Sequence, residues 1–267
     1  MGTAEENTAA ERFRLSKWYL DCVSGRGEAV IVYWAELRWR RLAVHYSSVL
    51  LFAAGRLCER SSLRGGQAPW LHGDLIEWSC DALDTRGAWR SAGQPPIHRV
   101  LYRKGGGTLE WHCLQPLAEA NVSCGGQKIS GPGYTERITL TLAPWDLPIE
   151  ELRWGRAHFP GRSAVWIDWS GPEAKRSVFV DSKEVEGVQV TDSLVSSPQT
   201  TIRLAGRQVL REGPVEGTSV GSIPGVRQAL SKAGLLMDEH KWLSAATLEE
   251  VGATLHGSAI HEVVKWR

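Results

Sequence analysis

Two stretches of this chain read as copies of one another, so the chain must fold into something that can be built twice. WYLDCVSGRGEAVIVYW from Trp18 lies without a gap on WGRAHFPGRSAVWIDWS from Trp154, matching Trp18 with Trp154, Gly25-Arg26 with Gly161-Arg162, and Ile31 with Ile167. GPGYTERITL from Gly131 lies likewise on GSAIHEVVKW from Gly257 and pairs Glu136 with Glu262. Each unit opens on a Trp-led strand, turns at Gly-Arg and closes on a strand bearing a glutamate. Between the copies stand Pro144 and Pro148, which cannot donate to a sheet ladder. The expected organisation is a flexible N-terminal tail over 1–14, a first β domain over 15–146 and a second over 147–267.

Alternating or β-rich segments recur along the whole length, among them Trp18–Val23, Ala29–Trp34, Ala43–Phe52, Asp74–Cys80, Ile97–Lys104, Thr108–Leu114, Gly133–Leu142 and Ala259–Trp266, with Gly, Pro, Ser and Asp clusters between them. This density of short strands predicts antiparallel barrels or sandwiches. Helical signal is confined to Pro224–Ala233, with Ser222 as its cap, and Ala245–Val251. "KGGG" at Lys104–Gly107 sits between two strands and reads as a hairpin turn, not a phosphate loop. "GTSVG" around Ser219 matches a nucleophile elbow in letters only, because the strand-to-helix context is missing.

With 31 basic and 30 acidic residues and no Lys/Arg block, nucleic acid is excluded as an expected partner. The N-terminal residues lack the features of a secretory signal, and no apolar run is long enough to span a bilayer, so the expectation is a cytoplasmic protein without a transmembrane segment. Five cysteines without CxxC spacing argue for buried thiols over a disulfide framework or a structural zinc site. Thirteen tryptophans against four phenylalanines call for broad aromatic cores, interfaces or aromatic-walled cavities.

The order of a Trp-led strand, "LEWHC" (Leu109–Cys113), "GPGYTE", "PWDLPIEELRWGR" and a terminal "GSAIHEVVKW" resembles the hydroxyneurosporene synthase or carotenoid 1,2-hydratase superfamily of double lipocalin-like barrels, which includes tocopherol-cyclase-like proteins. The resemblance implies two lipocalin-like antiparallel barrels or half-barrels. It also implies an apolar isoprenoid- or polyketide-like ligand in or between them, and neither a metal nor an organic cofactor. Carotenoid hydratase members carry Asp-His after the Gly-Tyr; here Thr135, Glu136 and Arg137 follow Tyr134. The catalytic position is thus where this chain departs from the family.

Alternation puts Tyr134 and Glu136 on the apolar face of their strand. A buried carboxyl shifted towards neutral pH can protonate an alkene or carbonyl, and aromatic faces can stabilise the resulting cation. The alternative is a barrel-closing glutamate, repeated at Glu262. On the neighbouring strand Glu110 and His112 share a face opposite Trp111, either as a proton-transfer pair or as an exposed edge. The candidate catalytic set is Glu136, Tyr134 and His112; the candidate ligand contacts are Glu110, Trp111, Trp78, Trp166 and Asp168. His45, Tyr46 and His158 are weaker candidates. Two functions remain open: a cofactor-free hydratase, cyclase or isomerase, and a non-catalytic carrier or sensor of a lipophilic molecule. The Trp excess would also suit a protein interface, and oligomeric state is not readable from the sequence.

Overall fold

The computed structural model describes residues 13–39, 41–64, 66–214 and 237–266. The first sheet is formed by β1 (Arg14–Val23), β2 (Ala29–Trp39), β3 (Leu42–Ala53), β4 (Arg56–Ser62), β5 (Trp70–His72), β6 (Leu75–Cys80), β7 (Thr85–Ser91), β8 (Ile97–Lys104), β9 (Gly107–Cys124) and β10 (Gln127–Leu140). The second is formed by β11 (Glu151–Phe159), β12 (Arg162–Ser170), β13 (Lys175–Val180), β14 (Lys183–Glu184), β15 (Gln189–Val190), β16 (Leu194–Ser196), β17 (Thr200–Pro214), β18 (Met237–Glu250) and β19 (Ala253–Trp266).

Strand order in the first sheet is β4-β3-β2-β1-β10-β9-β7-β6-β5, with β8 added against β9; in the second it is β14-β13-β12-β11-β19-β18-β17-β16-β15. The same antiparallel order therefore occurs twice, and β8 is the extra piece in the longer first copy. The chain is all-β, two lipocalin-like sheets from a duplicated unit.

Within the repeat, the register corrects the residue matching. Tyr19 lies opposite Glu136 on β1 and β10, and Trp154 lies opposite Glu262 on β11 and β19. Glu136 and Glu262 are equivalent as expected, but the partner of Trp154 in the first copy is Tyr19, not Trp18. Trp18 packs in the first sheet's own core, whereas Tyr19 and Trp154 pack in the core between the sheets. The physical reason is period two: one residue of slip transfers a side chain to the opposite face.

Ala245–Val251, expected to be helical, lies almost wholly in β18, whose residues pair with β19 along its full length. Good helix formers are overridden there by a long ladder. Pro224–Ala233 and Ser219 lie outside the described residues, as do residues 1–12 of the expected tail. Phe13, assigned to the tail, is buried and packs edge-on against Trp145, and Arg14 already opens β1. Lys104 and Gly107 close β8 onto β9 through Gly105 and Gly106, both at positive φ, which is the hairpin geometry that two glycines allow. Cys22, Cys80, Cys113 and Cys124 are buried free thiols, and Cys58 is exposed. Among the described residues no helix is long and apolar enough to cross a membrane.

Three apolar clusters result. One lies inside the first sheet around Trp18, Trp34, Trp78 and Trp89, and one inside the second around Trp166. The third draws on both sheets and holds Tyr19, Tyr33, Trp111, Tyr134, Trp154 and Trp169. Eight of the thirteen tryptophans are buried in these cores, whereas Trp70 and Trp145 are exposed.

Candidate functional site

At the centre of the shared core, Glu136 Oε2 accepts hydrogen bonds from Trp111 Nε1 at 2.5 Å, Tyr134 Oη at 2.7 Å and Trp154 Nε1 at 3.1 Å. Trp111 reaches it from β9, Tyr134 from two places back on β10, and Trp154 from the second sheet. Glu136 is 5 % exposed. Burial raises its pKa, against the three donors and the nearby Lys17 ammonium, which lower it. Burial likewise lowers the pKa of Lys17. Tyr134, buried beside Cys113 and Glu136, is held well above the usual phenol range.

Further along the same core, Lys241 Nζ bonds Tyr33 Oη at 2.5 Å and Glu239 at 3.1 Å, and also pairs with Glu262. Burial opposes the Lys241 cation, but Glu262, Tyr33 and Glu239 outweigh it and hold its pKa well above the ordinary value. Glu262 thus closes on a lysine where Glu136 closes on aromatic donors.

Toward the opposite end, Asp21 and Arg156 form a two-point ion pair across the junction, at 2.9 Å and 2.6 Å. Beyond it, a cleft of about 1060 Å³ opens where the β1–β2 and β11–β12 turns meet. Its apolar wall includes Phe52, Leu117, Pro132, Phe159 and Leu243, and His158 also lines it. His158 Nε2 lies 2.9 Å from the carbonyl oxygen of Pro116. A carbonyl only accepts, so Nε2 carries the proton and Nδ1 is left as a bare lone pair. Nδ1 has no hydrogen-bond partner. Burial, then the Arg156 charge, push the His158 pKa well below the usual imidazole value, so the ring is neutral.

The structure brings Glu136, Tyr134 and Trp111 together. It puts His112 and Glu110 on the other face of β9, beside His98, and out of reach of Glu136. His112 has its pKa lowered by burial and by His98; Glu110 has its pKa lowered, chiefly by Thr108. Trp78 lies in the first sheet's own core, and its Nε1 is buried without a partner beside a separate cavity of about 740 Å³. Trp166 fills the core of the second sheet under Gly155, and Asp168 is paired with Arg176 at 2.9 Å. His45 is half-exposed and paired with Glu36, and Tyr46 is buried in the shared core. Trp154, Asp21, Arg156, Lys241 and His98 were not among the candidates. A Trp-led strand repeated in both copies pointed to Trp154; the others depend on register and on contacts between sheets.

No protein-family model matches the chain, and no curated protein matches its sequence. Solved structures match in fold. CghA, solved alone and with Sch210972, shares 12% identity at a TM-score of 0.55, over 95% of this chain and 88% of its own. An AttH-like protein from Nitrosomonas europaea shares 9% at 0.58, over 97% and 94%. Kievitone hydratase from Nectria haematococca shares 10% at 0.51, over 94% and 88%. The chain has the double lipocalin-like fold of these proteins, the fold implied by the resemblance to the carotenoid 1,2-hydratase superfamily.

Proposed function

We propose that this protein binds an apolar isoprenoid- or polyketide-like molecule in the cleft between its two β domains, with His158 as the polar group that meets it. One observation carries the reading: a cleft of about 1060 Å³, apolar on most of its wall, is bordered by a buried neutral imidazole whose Nδ1 has no partner. Cavities of roughly 300–1,000 Å³ with few polar groups are the usual form of a small-molecule site. An unpaired buried acceptor costs about 1–3 kcal/mol. Nδ1 is itself sealed from the cleft, so a ligand hydroxyl or enol recovers that cost by donating to it once the His158 ring turns to present Nδ1. Two solved proteins of this fold support the reading in kind, one being a hydratase and the other having been solved with a small molecule.

As chemistry, an imidazole held neutral with its pKa depressed is a weak base. It is suited to accepting a hydrogen bond from a ligand O–H and relaying that proton within the ligand in a cofactor-free isomerisation or cyclisation; in a hydration the proton comes instead from a water whose oxygen bonds to the ligand. Glu136 supports a second, acid-first reading, since burial raises its pKa. It does not border the cleft, so in this reading Tyr134 and Trp111 would have to move with it. Native mass spectrometry of protein purified from its own host tests the binding role. A retained apolar molecule that is lost in His158→Phe is expected. A wild-type protein that is ligand-free and also fails to take up isoprenoid and polyketide probes would overturn it.

A further inference from the structure

The turn at Gly105–Gly106 fixes Lys104 opposite Gly107, and a regular ladder continued from there would set Arg99 opposite His112. The ladder is not regular. Leu101 is bulged out between Val100 and Tyr102, so the register moves by one and His98 comes to face His112, while Arg99 faces Trp111. The bulged carbonyl of Leu101 is held from the second sheet by Lys175 Nζ. Bulges recur where a strand must re-aim a side chain, and here what is re-aimed is an imidazole.

The result is a compact set of donors. The rings of His98 and His112 lie face to face with centroids 3.9 Å apart. Glu110, two places from His112 on the same face of β9, puts Oε2 3.6 Å from His98 Nε2 and 3.5 Å from His112 Nε2. One ligand atom from each residue lies within 4.8 Å of the other two. Tetrahedral zinc, with bonds of about 2.0–2.2 Å, wants its donors roughly 3.3–3.5 Å apart. The two distances from Glu110 Oε2 nearly meet this, and the stacked imidazoles, whose lone pairs run side by side, must tilt towards each other to share one ion.

We propose that His98, Glu110 and His112 form a site for a divalent first-row transition ion, with Zn2+ the best match to two imidazoles and one carboxylate. Three protein ligands leave a position for water or an exogenous ligand. The side chains are 52%, 32% and 25% exposed, so the ion enters from solvent without any opening of the fold. Arg137, opposite His112 on β10, is the cationic neighbour on this face; its guanidinium is drawn over the Trp18 ring at 5.5 Å, and Glu110 supplies the compensating negative charge. The proposal is independent of the cleft.

The test is a Zn2+ titration of the chelator-stripped full chain by calorimetry near neutral pH. One ion per chain with micromolar affinity is expected. His98→Ala and His112→Ala should each weaken it beyond the roughly 10–100-fold that loss of an outer partner costs a metal site. His72→Ala, which removes an exposed histidine also paired with a glutamate, should leave it unchanged. In wild type, Zn2+ should shift the ring resonances of His98 and His112 together. Undiminished binding in the His98→Ala/His112→Ala double variant, or no micromolar binding by wild type, would overturn the proposal.

Discussion

Asp21 and Arg156 meet across the junction of the two sheets with neither side chain reaching solvent, Nη2 standing 2.6 Å from Oδ1. Burial works against both ions: Asp21 outweighs it at Arg156 and raises that pKa, whereas at Asp21 burial outweighs Arg156 and raises the carboxyl as well. It is therefore the two-point contact that holds the charged pair together. Removing one partner leaves an uncompensated buried charge, and Asp21→Asn is expected to cost about 3–5 kcal/mol. Removing both is different. Asp21→Leu/Arg156→Met is expected to be neutral or stabilising by about 1–4 kcal/mol, because desolvation of the pair is no longer paid. Urea denaturation of the three proteins decides between these signs. A double variant as weak as Asp21→Asn would mean that the pair sets the docking of the sheets.

Glu136 gives a sharper separation of structure from chemistry. Glu136→Leu strands the Trp111, Tyr134 and Trp154 donors, each costing about 1–3 kcal/mol when left unpaired. Glu136→Gln keeps a carbonyl oxygen for them and is expected to lose no more than about 2 kcal/mol. Since Glu136 does not border the cleft, Glu136→Gln should retain as much apolar ligand as wild type, while His158→Phe should retain little. Equal loss of ligand in both would move the binding site into the shared core.

Two buried histidines predict how stability falls in acid. Burial, then Arg207, bring His261 down to about 4, and His158 is also held well below its ordinary value. Both pKa values are depressed in the folded chain, so the unfolded chain binds more protons below about pH 6.5. Stability is therefore full above that pH and is lost as pH falls towards 4, by about 3 kcal/mol for His261 alone. Glu136, whose pKa is raised, contributes in the opposite sense. The informative quantity is consequently the difference between wild type and His261→Gln in urea midpoint from pH 7 to pH 4, which should narrow as pH falls. Glu239, drawn down to about 2 by Lys241 and Arg211 in spite of its burial, adds its own loss from about pH 4.5 downwards, equally in wild type and His261→Gln, so it leaves their difference unchanged.

The duplicated layout and the turn at Gly105–Gly106 were legible because each depends on local signals. The middle of β9 was not. Pro116 argues against a strand interior, yet β9 runs through it. The reason lies in tertiary pairing: β8 covers β9 as far as Cys113, β7 takes over at Ala118, and the β10 ladder is irregular between Gly133 and Glu136. Pro116 falls in that exchange, where no amide is demanded of it and its carbonyl is free to receive His158. For the same reason His98 could not be placed beside His112 from the sequence: a regular count from the turn selects Arg99, and only the bulge at Leu101 reverses the choice. Glu136 and Tyr134 could be placed together from period-two alternation within β10, but the sequence joined His112 to them where the fold brings Trp111, because the β9–β10 register is irregular beside Glu136. Trp154 arrives from the other sheet, beyond the reach of any local pattern.

Gly155 provides the last prediction. It lies on β11 directly opposite Trp166 of β12 and His261 of β19. A Cβ built there would stand 2.8 Å from His261 Cβ and closer still to Cζ2 and Cε2 of the Trp166 ring. Its requirement for glycine is thus one of space, since φ is not in the left-handed region. Overpacking of this kind costs about 1–3 kcal/mol, because a ring in a close-packed interior has nowhere to go without displacing its own neighbours. Gly155→Ala is expected to lower stability by that amount. Gly155→Ala/Trp166→Phe should recover part of it, as the smaller ring gives up the atoms that clash while Trp166→Phe alone leaves a cavity. The coupling is read from a double-mutant cycle in urea. Additive losses would show that Gly155→Ala is accommodated by a shift of β11, and that the Trp166 ring does not set the requirement for glycine.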